Sequence, residues 1–192
     1  MTGLREERTR QTQELILAAA EELFAERGFQ STSLVDVAER SGVSRGSIPW
    51  HFGDKQGLLI AVVEKLHADF RRAMDVPIPA GPDGLGQIVR LASTSIRTGT
   101  TRLFLTLLQE AGRPGSPVHA PFAAIHQDMR DYFRAWAEQP EVAASLPDGV
   151  GPDDIAAIFV GAIIGMNQQY VINPVLDLRH GYEALARIVL ER

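Results

Sequence analysis

Thr32-Ser33-Leu34-Val35-Asp36-Val37-Ala38-Glu39-Arg40-Ser41-Gly42-Val43-Ser44-Arg45-Gly46-Ser47-Ile48 is the stretch on which the fold turns. Ser33 with Asp36 three positions on forms a capping pair. The hydroxyl can accept a first-turn N–H, and the acidic side chain can reach back to the cap. A short helix is predicted to start there, with Leu34, Val37 and Ala38 on its buried side. Gly42 can take the left-handed conformation that ends a helix, and Ser44 is then placed to cap a third short helix. Ala38 is small where two helices must approach, and Val43 and Ile48 supply apolar packing beneath the turn. Two short helices joined by a tight glycine turn leave the second standing proud of the surface. That shape enters a DNA major groove.

Outward from this stretch the pattern stays helical. Ile16, Ala19, Ala20, Leu23 and Phe24 recur at three- and four-residue steps and predict a first helix ending at Gly28. A long fourth helix opens at Lys55 and carries Leu59, Val62, Val63, Leu66, Phe70 and Met74 along one stripe. Pro77, Pro79, Gly81, Pro82 and Gly84 break the chain. Helical periodicity resumes with Leu85, Ile88, Val89, Ala92 and Ile96, then with Leu103, Phe104, Leu107, Leu108 and Ala111. Phe122, Ile125, Met129, Phe133 and Trp136 follow, then Ile155 to Tyr170 and Arg179 to Leu190. No segment alternates as a strand does, so the fold class is all-α.

Composition narrows the function. The 192 residues suffice for one or two small domains, and 45% hydrophobic content is that of an ordinary globular chain. No cysteine is present, which removes disulfides, thiol catalysis and thiolate zinc sites and suits the cytoplasm. Arg5, Arg8 and Arg10 are not followed by the apolar core of a secretion signal; a solvated tail is expected there rather than a DNA-binding arm. The apolar run from Ile155 to Met166, bracketed by Asp153, Asp154 and Asn167, is too short for a bilayer of about 30 Å and is expected to be a buried helix, with no membrane partner. No nucleophile elbow, HExxH, phosphate loop or dinucleotide fingerprint occurs, so neither an enzyme nor a cofactor is expected. His119 and His126 lie seven apart without a third ligand, and no metal site is expected. Net charge is −5, and residues 1–55 hold seven Arg/Lys against nine Asp/Glu. Nucleic-acid binding must therefore rest on where charges sit, not on their sum.

Residues from about 12 to 60 resemble the N-terminal domain of the TetR (tetracycline repressor) family. The likeness is carried by Ile16, Ala20, Phe24, Gly28-Phe29, Thr32-Ser33, Val37-Ala38, Gly42-Val43-Ser44, Gly46, Ile48, His51-Phe52, Lys55 and Leu58. It implies a three-helix helix-turn-helix head in residues 1–55, and a helical bundle in residues 56–192 for effector binding and dimerisation. It further implies a homodimer on a palindromic double-stranded DNA operator, acting as a repressor released by a small-molecule effector. Two alternatives stay open: an activator, or a helical small-molecule-binding or interaction module with weak or lost DNA binding.

On this resemblance Ser44 caps the recognition helix, and Arg45 and Ser47 lie on its first turn. An arginine there can bind guanine O6 and N7 together, worth roughly 1–3 kcal/mol of discrimination. Gly46 permits close approach. Trp50 either meets the DNA backbone or packs within the head, and His51 matches a backbone-contact position. Lys55 favours a phosphate beside the start of the fourth helix, and Thr32 and Ser33 do likewise at the second. Pro49 departs from the family's tyrosine; it is expected to shorten the recognition helix and pass phosphate anchoring to Trp50, His51 and Lys55.

The last two helices resemble the family's dimer-forming pair. Gly161-Ala162-Ile163-Ile164-Gly165 offers small residues four apart for close helix approach, and Tyr182, Leu185 and Val189 belong to the final helix. By the same likeness an effector of apolar or aromatic character is met by Phe104, Leu108, His126, Met129, Phe133, Met166, Gln169 and Tyr170.

Overall fold

The structure, a computed structural model, describes residues 2–80, 83–84, 86–91 and 100–190, with the backbone alone at Thr2, Ala186, Val189 and Leu190. Helix is the only regular element among them, as the periodicity predicts. The principal helices are α1 (Thr2–Arg27), α2 (Leu34–Ser41), α3 (Ser47–Phe52), α4 (Lys55–Ala73), α5 (Thr100–Ala111), α6 (His119–Ala137), α7 (Pro140–Ala143), α8 (Pro152–Ile172) and α9 (Leu178–Leu190). Leu85, Ala92, Ile96 and the Val189 side chain lie outside the described residues.

The chain forms two compact units, Met1–Ala68 with Arg102–Phe122, and Asp69–Thr101 with Ala123–Arg192. In the first unit Ile16, Ala20, Leu23 and Phe24 of α1 are fully buried, as are Val37 of α2, Ile48 of α3 and Leu58, Val62 and Val63 of α4. Phe24 meets Phe29 edge-on, with ring centroids 5.5 Å apart. α5 adds Leu103, Phe104, Leu107 and Ala111 on its buried side, and Phe104 lies 4.8 Å from Phe122.

α1 begins at Thr2, well before its first buried residue, Ile16. Arg5, Arg8 and Arg10 are therefore exposed to solvent, as expected, but on a helical extension and not on an irregular tail. Local pairing holds this stretch: Arg10 reaches Glu7 at 2.7 Å and Glu14 at 3.7 Å, and the Thr9 and Thr12 hydroxyls donate to the Arg5 and Arg8 carbonyls.

In the second unit Phe133 and Trp136 of α6 pack on Phe159 of α8, each with ring centroids 5.4 Å apart. The extended segment 76–79 lies along α6, where three side chains bind its carbonyls. Tyr132 Oη donates to Val76 (2.9 Å), Trp136 Nε1 to Pro79 (3.1 Å) and Gln139 Nε2 to Ile78 (2.8 Å). Proline-rich backbone cannot join a ladder, so side chains satisfy its acceptors. On α9, Tyr182 is buried and its hydroxyl donates to Asn167 Oδ1 of α8 at 2.5 Å.

α8 runs 21 residues, longer than the apolar run read from sequence, and by length and composition alone it could cross a bilayer. Its Ile155, Ala156, Phe159, Val160, Ile163 and Asn167 are buried, which gives that face to packing within the chain.

Candidate nucleic-acid interface

The α2–turn–α3 region follows from local chemistry. Ser33 is the N-cap of α2: its Oγ accepts the Asp36 N–H at 3.2 Å, while Asp36 accepts the Ser33 N–H at 2.7 Å. The Ser33 hydroxyl also donates to the Asp36 carboxylate at 2.6 Å; this bond first, and the Ser33 N–H second, hold the Asp36 carboxyl below its ordinary pKa. Gly42 closes α2 with φ of 69°, the left-handed conformation expected of it. Arg40 fastens α2 to α1, donating to Glu26 through two nitrogens (3.1 and 3.0 Å) and to Glu22 at 2.9 Å.

α3 begins later than the sequence predicts. Gly46 is its N-cap, and Ser44 does not cap it. The Ser44 carbonyl instead accepts the Ser47 N–H at 2.9 Å, and the two hydroxyls lie 2.7 Å apart. Pro49 supplies the reason. In a helix started at Ser44, Pro49 would need an N–H for the Arg45 carbonyl and its ring would strike that carbonyl. Starting at Ser47 moves Pro49 into the first turn, where N–H groups have no helical partner anyway. The helix is thus shortened at its front, to six residues.

Arg45 consequently sits in the turn before α3, exposed, with no ion pair among the described residues. Gly46 and Pro49 are exposed, Ser47 is half-buried, and Trp50 is 71% exposed. Of the two placements open for Trp50, packing inside the head is thereby excluded. Its indole meets the edge of His51, at 4.5 Å between centroids. His51 is half-buried, its Nδ1 lacks a hydrogen-bond partner among the described residues, and burial lowers its pKa.

Three expected contacts take other geometry. Thr32 is buried and its hydroxyl donates to the Gly28 carbonyl at 2.9 Å, so it is not presented to a phosphate. Ser33 is exposed, but its hydroxyl serves the capping pair. The N-terminus of α4 is occupied by the Asp54 carboxylate, which accepts the Gly57 N–H at 2.8 Å. Lys55 folds back: its Nζ donates to the Gln30 carbonyl at 3.2 Å and lies 4.4 Å from the centre of the Phe29 ring. Desolvation lowers its pKa, against the opposing pull of Glu110 and Asp36.

Sequence reasoning missed two positions that place this site. Gly57 lies against the end of α3: a Cβ built there would stand 1.9 Å from the Phe52 carbonyl oxygen. Glu110 is buried on α5, accepts Gln30 Nε2 at 3.1 Å and lies 3.5 Å from Arg113. A charged residue one turn from Leu107, on a stripe otherwise apolar, was the available signal.

Residues 16–62 match the family described as bacterial regulatory proteins, tetR family. Over this segment the chain is similar to the tetR family. The transcriptional regulator TtgR of Pseudomonas putida is 44% identical over 61 residues, 32% of this chain and 29% of that one. The transcriptional repressor Rv3405c of Mycobacterium tuberculosis is 45% identical over 65 residues, 34% and 35% of the two chains. The matches thus span about a third of the length of these tetR-type relatives. Among solved structures, NalD of Pseudomonas aeruginosa, the secondary repressor of the MexAB-OprM multidrug efflux pump, superposes with a TM-score of 0.77 at 22% identity, covering 96% of this chain and 98% of that one. SmeT in complex with triclosan gives 0.75 at 21% identity, covering 94% and 92%. At such identities the likeness concerns the tetR fold alone.

Outside the tetR-type head, the eight residues expected at an effector divide between the two units. Phe104 and Leu108 belong to the first, Phe104 buried and Leu108 38% exposed. The other six belong to the second. There Met129 and Phe133 are buried, His126, Met166 and Tyr170 are half-buried, and Gln169 is exposed. Burial lowers the pKa of His126, and Arg130 adds to the effect. Met166 Sδ lies near Gly181, 3.1 Å from where a Cβ would stand.

Proposed function

We propose that this chain is a homodimeric transcriptional repressor that binds a palindromic operator and is released from it by a small-molecule effector. The observation that carries the reading is the exposed edge of the helix-turn-helix: Arg45 has no carboxylate partner among the described residues, and the Trp50 indole is open to solvent. In a chain of net charge −5, where Arg40 is committed to Glu22 and Glu26, an uncompensated arginine at this point is the group offered to DNA. Arg45 reads a base edge. Ser44, Gly46 and Ser47 approach the groove, Trp50 and His51 lie on the backbone, and Ser33 and Lys55 flank it. DNA binding resides in residues 1–55, although the first compact unit is larger than that segment.

Dimerisation through α8 and α9 is supported by apolar groups left exposed on them and on their connection: Ile158 (45%), Ile172 (77%), Val175 (89%), Leu176 (37%) and Ile188 (79%). Gly161 and Gly165 face open space, as a surface awaiting a second helix does. Residues 56–192 take the effector, an apolar or aromatic molecule; within the second unit it is met by His126, Met129, Phe133, Met166, Gln169 and Tyr170. The triclosan complex of SmeT supports that chemical class. The protein works in the cytoplasm and has no catalytic role.

Selection of bound duplexes from a random pool tests the reading. The expected product is a two-fold-symmetric site with half-sites about 10 base pairs apart or a multiple of that. Binding should also weaken steeply with salt as counterions return to the phosphates. Recovery of no symmetric site would leave the helical module without DNA function as the better account.

A further inference from the structure

We infer that Glu110 is an internal counter-charge that holds Lys55 away from DNA phosphate, acting through the Gln30 turn. The inference rests on the DNA-binding reading and names a positioning residue for it. Lys55 opens α4 beside the helix-turn-helix, yet its ammonium is turned onto the Phe29 ring (4.4 Å) and the Gln30 carbonyl (3.2 Å). The same Gln30 donates from its side chain to Glu110 Oε2 at 3.1 Å, so one residue joins the lysine of α4 to the carboxylate of α5. The bond links positions 80 apart in sequence, both within the first compact unit. Thr106 of α5 also borders this turn, its Cγ2 3.9 Å from where a Gly28 Cβ would stand.

The arrangement has a direct electrostatic consequence. Glu110 is 8% exposed; its ion-pair partner Arg113, at 3.5 Å, is itself more than half exposed, and Lys55 is joined to Glu110 through Gln30. A carboxylate in such a place keeps its field, because little water screens it. It favours the ammonium where it lies, and the Phe29 face adds a cation–π attraction there. A phosphate must compete with all three partners. Asp36 pulls in the same sense as Glu110. Neutralising Glu110 while keeping its hydrogen bond should therefore release Lys55 toward DNA.

The chain makes the test clean, since Lys55 and Lys65 are its only lysines and Lys65 is paired with Glu21 at 2.8 Å. Reductive ¹³C-methylation of the full-length protein gives one resonance group for each, with Lys65 as the internal control. In Glu110→Gln, which retains an acceptor for Gln30, the Lys55 titration should move to lower pH while that of Lys65 stays. On a duplex selected by the wild-type chain, Glu110→Gln should bind roughly two- to fivefold tighter at low salt. The slope of log affinity against log salt should steepen by about 1.8, the signature of one added phosphate contact on each of the two heads. In a Lys55→Met background the same substitution should gain nothing. An unmoved Lys55 titration, or an equal gain without Lys55, overturns the inference. A chain that binds no duplex, yet shows the Lys55 response, overturns the DNA reading and the phosphate competition but leaves the lysine–glutamate pairing standing.

Discussion

Arg45 and Thr32 stand at opposite ends of what a polar side chain can do in this head. Both sit in polar stretches of sequence, but Thr32 spends its hydroxyl on the Gly28 carbonyl inside the fold, and Arg45 spends nothing. Removing Arg45 should therefore leave the fold intact and take away recognition. Arg45→Ala is expected to lower affinity for a selected operator by about tenfold to a hundredfold, as for loss of a bidentate base contact. A repeated selection should recover sites degenerate at one position of each half-site. Unchanged affinity with the thermal midpoint preserved would remove Arg45 from the interface. The histidines make a different residue-scale prediction. Burial lowers the pKa of His51 and of His126, so the folded chain resists protons that the unfolded chain accepts. Their contribution to stability is complete above the unfolded value of about 6.5 and is lost as pH falls through the folded values. The thermal midpoint should drop between pH 7.5 and pH 5.5, a window above the carboxylate range, and His126→Gln should drop less.

At the scale of elements, legibility tracked the range of the forces. The Ser33–Asp36 cap and the left-handed Gly42 were readable because each is closed within a few residues. The start of α3 was not, because Ser44 has the chemistry of a cap and only Pro49, five positions on, vetoes it. The fold-back of Lys55 was hidden for another reason: its partners lie in a different turn and, through Gln30, on a different helix. Nothing in the local pattern encodes a bond across 80 positions. Gly57 belongs with these hidden cases. It reads as a weak helix residue, but the Phe52 carbonyl occupies the place of its missing side chain. In an exposed helix Gly→Ala is stabilising. Here the added methyl would meet backbone, which cannot swing aside, so Gly57→Ala should cost about 1–3 kcal/mol. It should also displace α3 and weaken operator binding more than the loss of stability explains. Chemical denaturation beside DNA titration would separate the two effects, and a stabilised variant would show that α3 does not bear on α4 in this way.

For the whole molecule the proposed function requires that two heads share one duplex. A six-residue recognition helix makes few contacts, and an acidic chain gains little from bulk attraction to phosphate. One head alone is thus a weak binder. Linking two raises affinity through effective concentration, provided the link holds the heads at a spacing the duplex can accept. In the proposed dimer the apolar groups exposed on α8 and α9 supply that link, and two-fold symmetry makes each substitution count twice. Ile158 is the informative position, because it is exposed on a helix whose opposite face is already committed to Phe133 and Trp136. A carboxylate there is tolerated by a monomer and buried twice in a dimer. Ile158→Asp should leave helix content and the cooperativity of unfolding unchanged while shifting the sedimentation coefficient to that of a monomer. Operator affinity should fall by about a hundredfold or more, whereas the residual binding of a single head to one half-site should keep its Arg45 dependence. A variant that stays dimeric would place the contact elsewhere on the chain, and a monomer that keeps full operator affinity would show that each head binds independently.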